Sequence, residues 1–154
     1  MKEDVIVTVT GIHRHPGVSG EETTKTVSQG KYRAEKGTHI IEYEEYMDDA
    51  AGTGDAFRGG VATYNLVTIR GDAMEVTRKG SVESTLYFKQ GVPHDASYKT
   101  QFGQMKSHIE TTRYAMYEME KGRRVIAEAE YIVSMNGLPM SETLMRIDIT
   151  EETG

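Results

Sequence analysis

No cysteine occurs in the 154 residues. Disulfide scaffolds, thiolate metal centres and cysteine nucleophiles are therefore excluded. Leucine is scarce, with only Leu66, Leu86, Leu138 and Leu144, and proline occurs three times. Acidic residues outnumber basic ones 24 to 18, for a formal charge of −6. An acidic chain lacks the basic footprint that a phosphate backbone requires, so nucleic acid is not an expected partner. No apolar run approaches the roughly 20 residues of a membrane-spanning helix, so no membrane partner is expected. The start, Met1-Lys2-Glu3-Asp4, carries no apolar signal core, which makes the cytoplasm the expected location.

What is present favours sheet. Thr, Val, Ile and Tyr are abundant, and β-branched and aromatic side chains suit a pleated, half-buried surface. Sixteen glycines against three prolines indicate many turns without a proline-rich linker. With 37% hydrophobic and 27% charged residues the composition is that of a folded globular chain. Neither an internal repeat nor a break in composition divides it, so a single domain over 1–154 is expected.

The hydrophobic period gives the elements. Val5, Val7 and Val9 alternate with Ile6, Thr8 and Thr10, the period of a strand. Gly11–Gly20 contains His-Pro-Gly and reads as a loop. A weaker strand pattern over Thr23–Ala34 turns at Glu35-Lys36-Gly37 into Thr38–Met47, where His39, Ile41, Tyr43 and Met47 share a face. The Gly- and Asp-rich stretch 48–60 reads as a flexible surface loop. Ala62–Arg70 and Ala73–Lys79 flank Gly71-Asp72, a two-residue hairpin signal. Ser84–Lys89 follows, and Pro93 after it cannot donate to a central ladder. Gln104–Glu120, Arg124–Met135 and Met140–Thr150 complete the pattern, with turns at Glu120-Lys121-Gly122 and at Asn136-Gly137. Tyr114–Lys121 is rich in helix formers and also fits two helical turns, but hairpin signals on both sides favour strand. The whole predicts an all-β fold: one antiparallel up-and-down barrel of roughly 8–10 strands.

Several strings resemble a known family. They are Ala73–Gly80, Tyr87-Phe88 with Gly91, Tyr98-Lys99-Thr100 and Phe102-Gly103-Gln104-Met105. The hairpin from Met119 to Tyr131 and the last strand to Asp148 add to them. Together, over about residues 28 to 150, they resemble the YwiB-like bacterial family of unknown function, whose fold is a calycin-like, or lipocalin-like, β-barrel. The segments 11–20 and 48–60 depart from that pattern. The resemblance implies a small cytosolic bacterial barrel and supplies no catalytic residues.

Two arginines stand out. Arg78 continues the apolar face of Met74 and Val76, and a charge on such a face must be paired or reach solvent. Arg113 shares the phase of Ile109 and Ala115, although a bulge at Thr111-Thr112 would shift it. An inward arginine can take a ligand carboxylate or phosphate as a bidentate partner, with Tyr43, Tyr117 and Tyr131 as wall contacts and hydroxyl donors. The competing reading is an arginine near a barrel end, paired with an internal carboxylate or a strand carbonyl. Met74, Phe88, Met105, Tyr117, Met119, Tyr131 and Met145 share the inward phase and are bulky, which favours a filled interior.

His13-Arg14-His15 is the nearest approach to a metal motif. It lacks a glutamate at the right spacing and a second histidine pair, so solvated loop histidines are expected and no metal or cofactor is assigned. Neither a Gly-x-Ser-x-Gly elbow nor a phosphate loop or dinucleotide fingerprint occurs. The leading expectation is a non-enzymatic barrel binding a small anionic or amphipathic ligand. The rival is a structural or interaction module, for example a homodimer through a strand edge or a sheet face bearing Ile40, Tyr87 and Ile132. A loop-built, metal-dependent enzyme using His13, His15 or His94 ranks third.

Overall fold

Alternation of β-branched residues is converted into ten strands. They are β1 (Asp4–Arg14), β2 (Glu22–Glu35), β3 (Thr38–Tyr46), β4 (Ala62–Ile69), β5 (Met74–Gly80), β6 (Ser84–Phe88), β7 (Pro93–Thr100), β8 (Gly103–Met119), β9 (Arg124–Met135) and β10 (Leu138–Glu151). The computed structural model describes residues 1–46, 62–80, 83–100 and 103–152. Met47 and the expected loop at 48–60 lie outside the described residues. All ten strands join one antiparallel sheet in the order β6-β5-β4-β3-β2-β1-β10-β9-β8-β7. Each strand thus lies beside its neighbour in the chain, and β1 meets β10 in an unbroken register from Val5↔Glu151 to Arg14↔Glu142. The up-and-down barrel expected from the sequence is the fold.

Positive-φ residues set the turns. Lys36 and Gly37 (φ 47° and 80°) and Asn136 and Gly137 (φ 53° and 77°) give two-residue hairpins whose twist matches that of the strands. Pro93 opens β7, which has a ladder neighbour only in β8, a position where its missing N–H costs nothing. Tyr114–Met119 is strand, and a short 3-10 turn takes over only at Glu120–Gly122.

One face of nearly every strand packs the interior, β2 contributing chiefly Tyr32. Val5, Val7, Ile41, Val67, Ile69, Met74, Phe88, Ile109, Val125, Ile147 and Ile149 are all but inaccessible. Two places depart from the regular ladder. Between β6 and β7 the edges are bridged at both ends only, by the reciprocal amide bonds of Glu83 and Lys99 (2.9 Å each) and by Val92 N–H to Lys89 C=O (3.0 Å). In between, His94 Nε2 donates to the Thr85 carbonyl at 3.0 Å. Between β2 and β3, pairing runs only from Glu35↔Thr38 to Gly30↔Tyr43, after which the strands part. Gly30 marks the crossing: a Cβ there would stand 2.9 Å from the Glu42 carbonyl oxygen and 3.0 Å from Val7 Cγ2.

Two readings of the sequence are corrected. The expected loop from Gly11 is strand as far as Arg14. Gly11 leaves room for the ring of His13, since a Cβ would lie 2.8 Å from its Nε2. In β8 the register shifts between Thr111 and Arg113, a bulge that reverses every later side chain. Tyr114 therefore turns inward and donates its hydroxyl to the Arg70 carbonyl at 2.7 Å. Tyr117 and Met119, expected inside, lie 46% and 44% exposed, and Met105 is 54% exposed.

The outer face carries ion pairs, among them Arg124 with Asp148 (2.6 Å) and Arg33 with Glu42 (3.0 Å). His108 stands between Asp95 (2.7 Å) and Glu110 (3.3 Å), and hydrogen bonds first to Asp95 and then to Glu110 raise its pKa above the ordinary 6.5. A pKa raised by folding adds stability that is complete below the unfolded value and fades as pH rises through the folded one. In an NMR titration His108 should lose its proton above pH 6.5, and Asp95→Asn should lower the midpoint; a wild-type midpoint at or below the ordinary value contradicts the arrangement. Gly30→Val should destabilise the fold by about 1–3 kcal/mol through overpacking at the β2–β3 crossing, read as a lower urea midpoint. An unchanged midpoint would show that the strands are not so closely apposed.

Candidate functional site

One end of the barrel interior is polar. Arg78 on β5 follows Met74 and Val76 inward and retains 27% side-chain exposure. Its Nε donates to Asn65 Oδ1 at 3.2 Å, and its Nη2 to Glu45 Oε2 at 3.3 Å. Asn65 is fully buried and spends an amide proton on the Thr63 carbonyl at 3.3 Å. The internal carboxylate that an inward arginine requires is thus Glu45, at the end of β3. Around the same end stand Tyr43 and Tyr131. Burial raises the pKa of both phenols; Glu45 adds to this at Tyr43, and the phenol of Tyr98 adds to it at Tyr131. Both remain protonated hydroxyl donors at neutral pH.

Three buried hydroxyls of the barrel have no partner among the described residues. Ser84 Oγ, Ser107 Oγ and Thr111 Oγ1 are buried and hydrogen-bond to no described residue. Ser84 faces Arg78 across β5 and β6, while Thr111 faces Tyr131 across β8 and β9 and lies level with the β6–β7 turn, its carbonyl accepting from Gly91 N–H at 2.9 Å. Leaving a buried hydroxyl unmet costs about 1–3 kcal/mol, so native structures rarely do so without water or another molecule. Below Arg78 and Ser84 the rings of Phe88 and Tyr131 pack with centroids 4.8 Å apart. At the opposite end Tyr32, His39 and Glu118 form a chain across the barrel, with Tyr32 Oη 2.6 Å from His39 Nδ1 and His39 Nε2 2.7 Å from Glu118 Oε1.

The predicted site residues divide. Arg78, Tyr43 and Tyr131 share the interior. Arg113 and Tyr117 lie on the outer face, because the bulge after Thr111 displaces them by one residue. Arg113 there donates to Glu128 Oε2 (2.9 Å) and Glu130 Oε2 (3.1 Å), which raise its pKa. The histidines of the expected pair also separate. His13 lies within β1, 3.1 Å from Thr143 Oγ1, whereas His15 lies beyond it, 3.2 Å from the Met140 carbonyl. Among the described residues, no three His, Asp or Glu side chains are grouped to hold a metal ion.

Sequence reasoning passed over Glu45, Asn65, Ser84, Ser107 and Thr111. The signal was available for Ser84, which is in phase with Phe88, and for Ser107, in phase with Ile109. A small polar residue on an inward face is as informative as an arginine. His39 was recognised as sharing a face with Ile41 and Tyr43, but its partner Glu118 was hidden by the same bulge.

Comparison with known proteins agrees with this architecture. The ywiB protein from Bacillus subtilis, known from a crystal structure, matches with a TM-score of 0.75 and 16% identity, covering 98% of this chain and 93% of that one. At that identity the likeness is one of fold. Ail, the attachment invasion locus protein of Yersinia pestis, gives a TM-score of only 0.31 at 4% identity, over 97% of this chain and 98% of that one, and carries no argument. No curated protein matches. Among the described residues no helix is long and apolar enough to cross a membrane. The model of the family described as Domain of unknown function (DUF1934) matches residues 7–147, and the chain belongs to that family.

Proposed function

We propose that this protein is a non-enzymatic, calycin-like bacterial barrel of the cytoplasm that binds a small anionic or amphipathic molecule at the Arg78 end of its interior. The observation that carries the reading is the buried Ser84 hydroxyl, which has no partner among the described residues and stands directly opposite Arg78. The end is rich in donors. Arg78 spends two of its N–H groups on Asn65 and Glu45, from a fork that offers five. Two protonated phenols add hydroxyls. Such a surround suits an oxygen-rich anion, which would compete with Glu45 for the guanidinium edge. Packing of Phe88 on Tyr131 argues for a small ligand seated at the end of the barrel, not a long one threaded through it. The ion pairs of the outer face speak against a lipid-facing band and favour an aqueous setting.

Ligand binding to the native state raises the unfolding temperature. In a thermal-shift screen of small carboxylates and phosphates, at least one compound should stabilise the protein, by about 2.7 kcal/mol at a hundredfold excess over its dissociation constant. Arg78→Ala should abolish the shift, and Arg113→Ala, altered on the outer face, should leave it intact. No stabilising compound, or a shift that survives Arg78→Ala, would refute the reading.

A further inference from the structure

Closure of a sheet into a barrel removes its edges, yet among the described residues the β2 side of the β2–β3 split stays open. β2 pairs with β1 along its length, from Asp4↔Lys31 to His13↔Glu22, but with β3 only as far as Gly30. The Tyr32 amide donates to the Glu3 carbonyl at 2.8 Å. Alternation then turns the N–H and C=O of even-numbered β2 residues toward β1, and those of odd-numbered residues to the other side. Thr23, Lys25, Val27 and Gln29 consequently direct their backbone groups into the open side, where no strand among the described residues meets them. Residues 22–27 are exposed throughout, and Val27 is 61% exposed. Neither a proline nor a bulge blunts this stretch; its only usual protection is Lys25.

We propose that this edge is a homodimer interface, in which β2 of a second copy of the chain adds antiparallel to β2 and continues the sheet where β3 departs. The sequence of the edge is self-complementary. Antiparallel pairing must set odd residues opposite odd ones, and a two-fold axis at Thr26 does so over the whole free stretch. Thr23 then faces Gln29, and Lys25 of one copy faces Val27 of the other. On the opposite face of the ribbon Thr26 meets Thr26 and Thr24 meets Ser28, cross-strand pairs that favour a ladder. No like charges stand opposite one another, since Glu22 faces Gly30. Moving the axis to Lys25 would set the two lysines face to face, so charge disfavours that register. All four outward N–H groups of each copy find carbonyls. This proposal is independent of the ligand reading.

Sedimentation velocity of the full chain across micromolar concentrations tests it. A species of twice 17.2 kDa is expected. Val27→Lys places lysine against Lys25 twice across the axis and should weaken the dimer about tenfold or more. Adding Lys25→Glu to that variant should restore the dimer. Val27→Pro removes an N–H that bonds to no described residue of its own copy, so it should give a folded monomer by circular dichroism. A wild-type monomer at every concentration overturns the proposal, whether the edge is left bare or covered by residues 47–61 of the same chain. So does a dimer that both Val27 variants leave unchanged.

Discussion

The pairing of the first strand with the last makes an inside possible. β1 and β10 hold ten consecutive residue pairs, and without them the meander would be an open, twisted sheet with an apolar face in water. Once that contact closes, one face of nearly every strand is committed to the interior. Alternation then places Val5, Val7, Ile147 and Ile149 in a common core. The same commitment forces Arg78, Asn65 and Ser84 inward, because their strands have no other face to offer them.

Closure is not uniform, and its weak places lie near the interesting chemistry. The β6–β7 seam is bridged by backbone at its ends and by His94 in its middle. It borders Ser84, the residue opposite Arg78. The β2–β3 split begins at Gly30, where two strands cross too closely for a side chain. One irregularity opens the wall beside a polar interior and the other leaves a strand edge. A barrel that served only as a packed core would gain nothing from either.

Much of the fold was legible because period-2 alternation and Asn-Gly or Lys-Gly turns are local signals. Val125, Ala127, Ala129 and Tyr131 read correctly because no irregularity interrupts β9 over that stretch. Arg78 read correctly for the same reason. Arg113 and Tyr117 did not, since one extra residue after Thr111 reverses a strand and two threonines fit either face equally well. Contacts across the barrel were beyond local pattern altogether. His39 and Glu118 are 79 residues apart, and only closure of the sheet brings them together. The unmet hydroxyls of Ser84, Ser107 and Thr111 belong to the same class: each is an ordinary strand residue until the wall it shares is assembled.

The central claim is that the Arg78 end of the interior is built to receive a molecule. A high-resolution crystal structure of the protein purified without added ligand tests it most directly. A discrete non-water molecule is expected at that end, hydrogen-bonded to Ser84 Oγ and to the Arg78 guanidinium. A Ser84 hydroxyl bonded only to protein groups or to water, with Arg78 held by Glu45 and Asn65 alone, would contradict it.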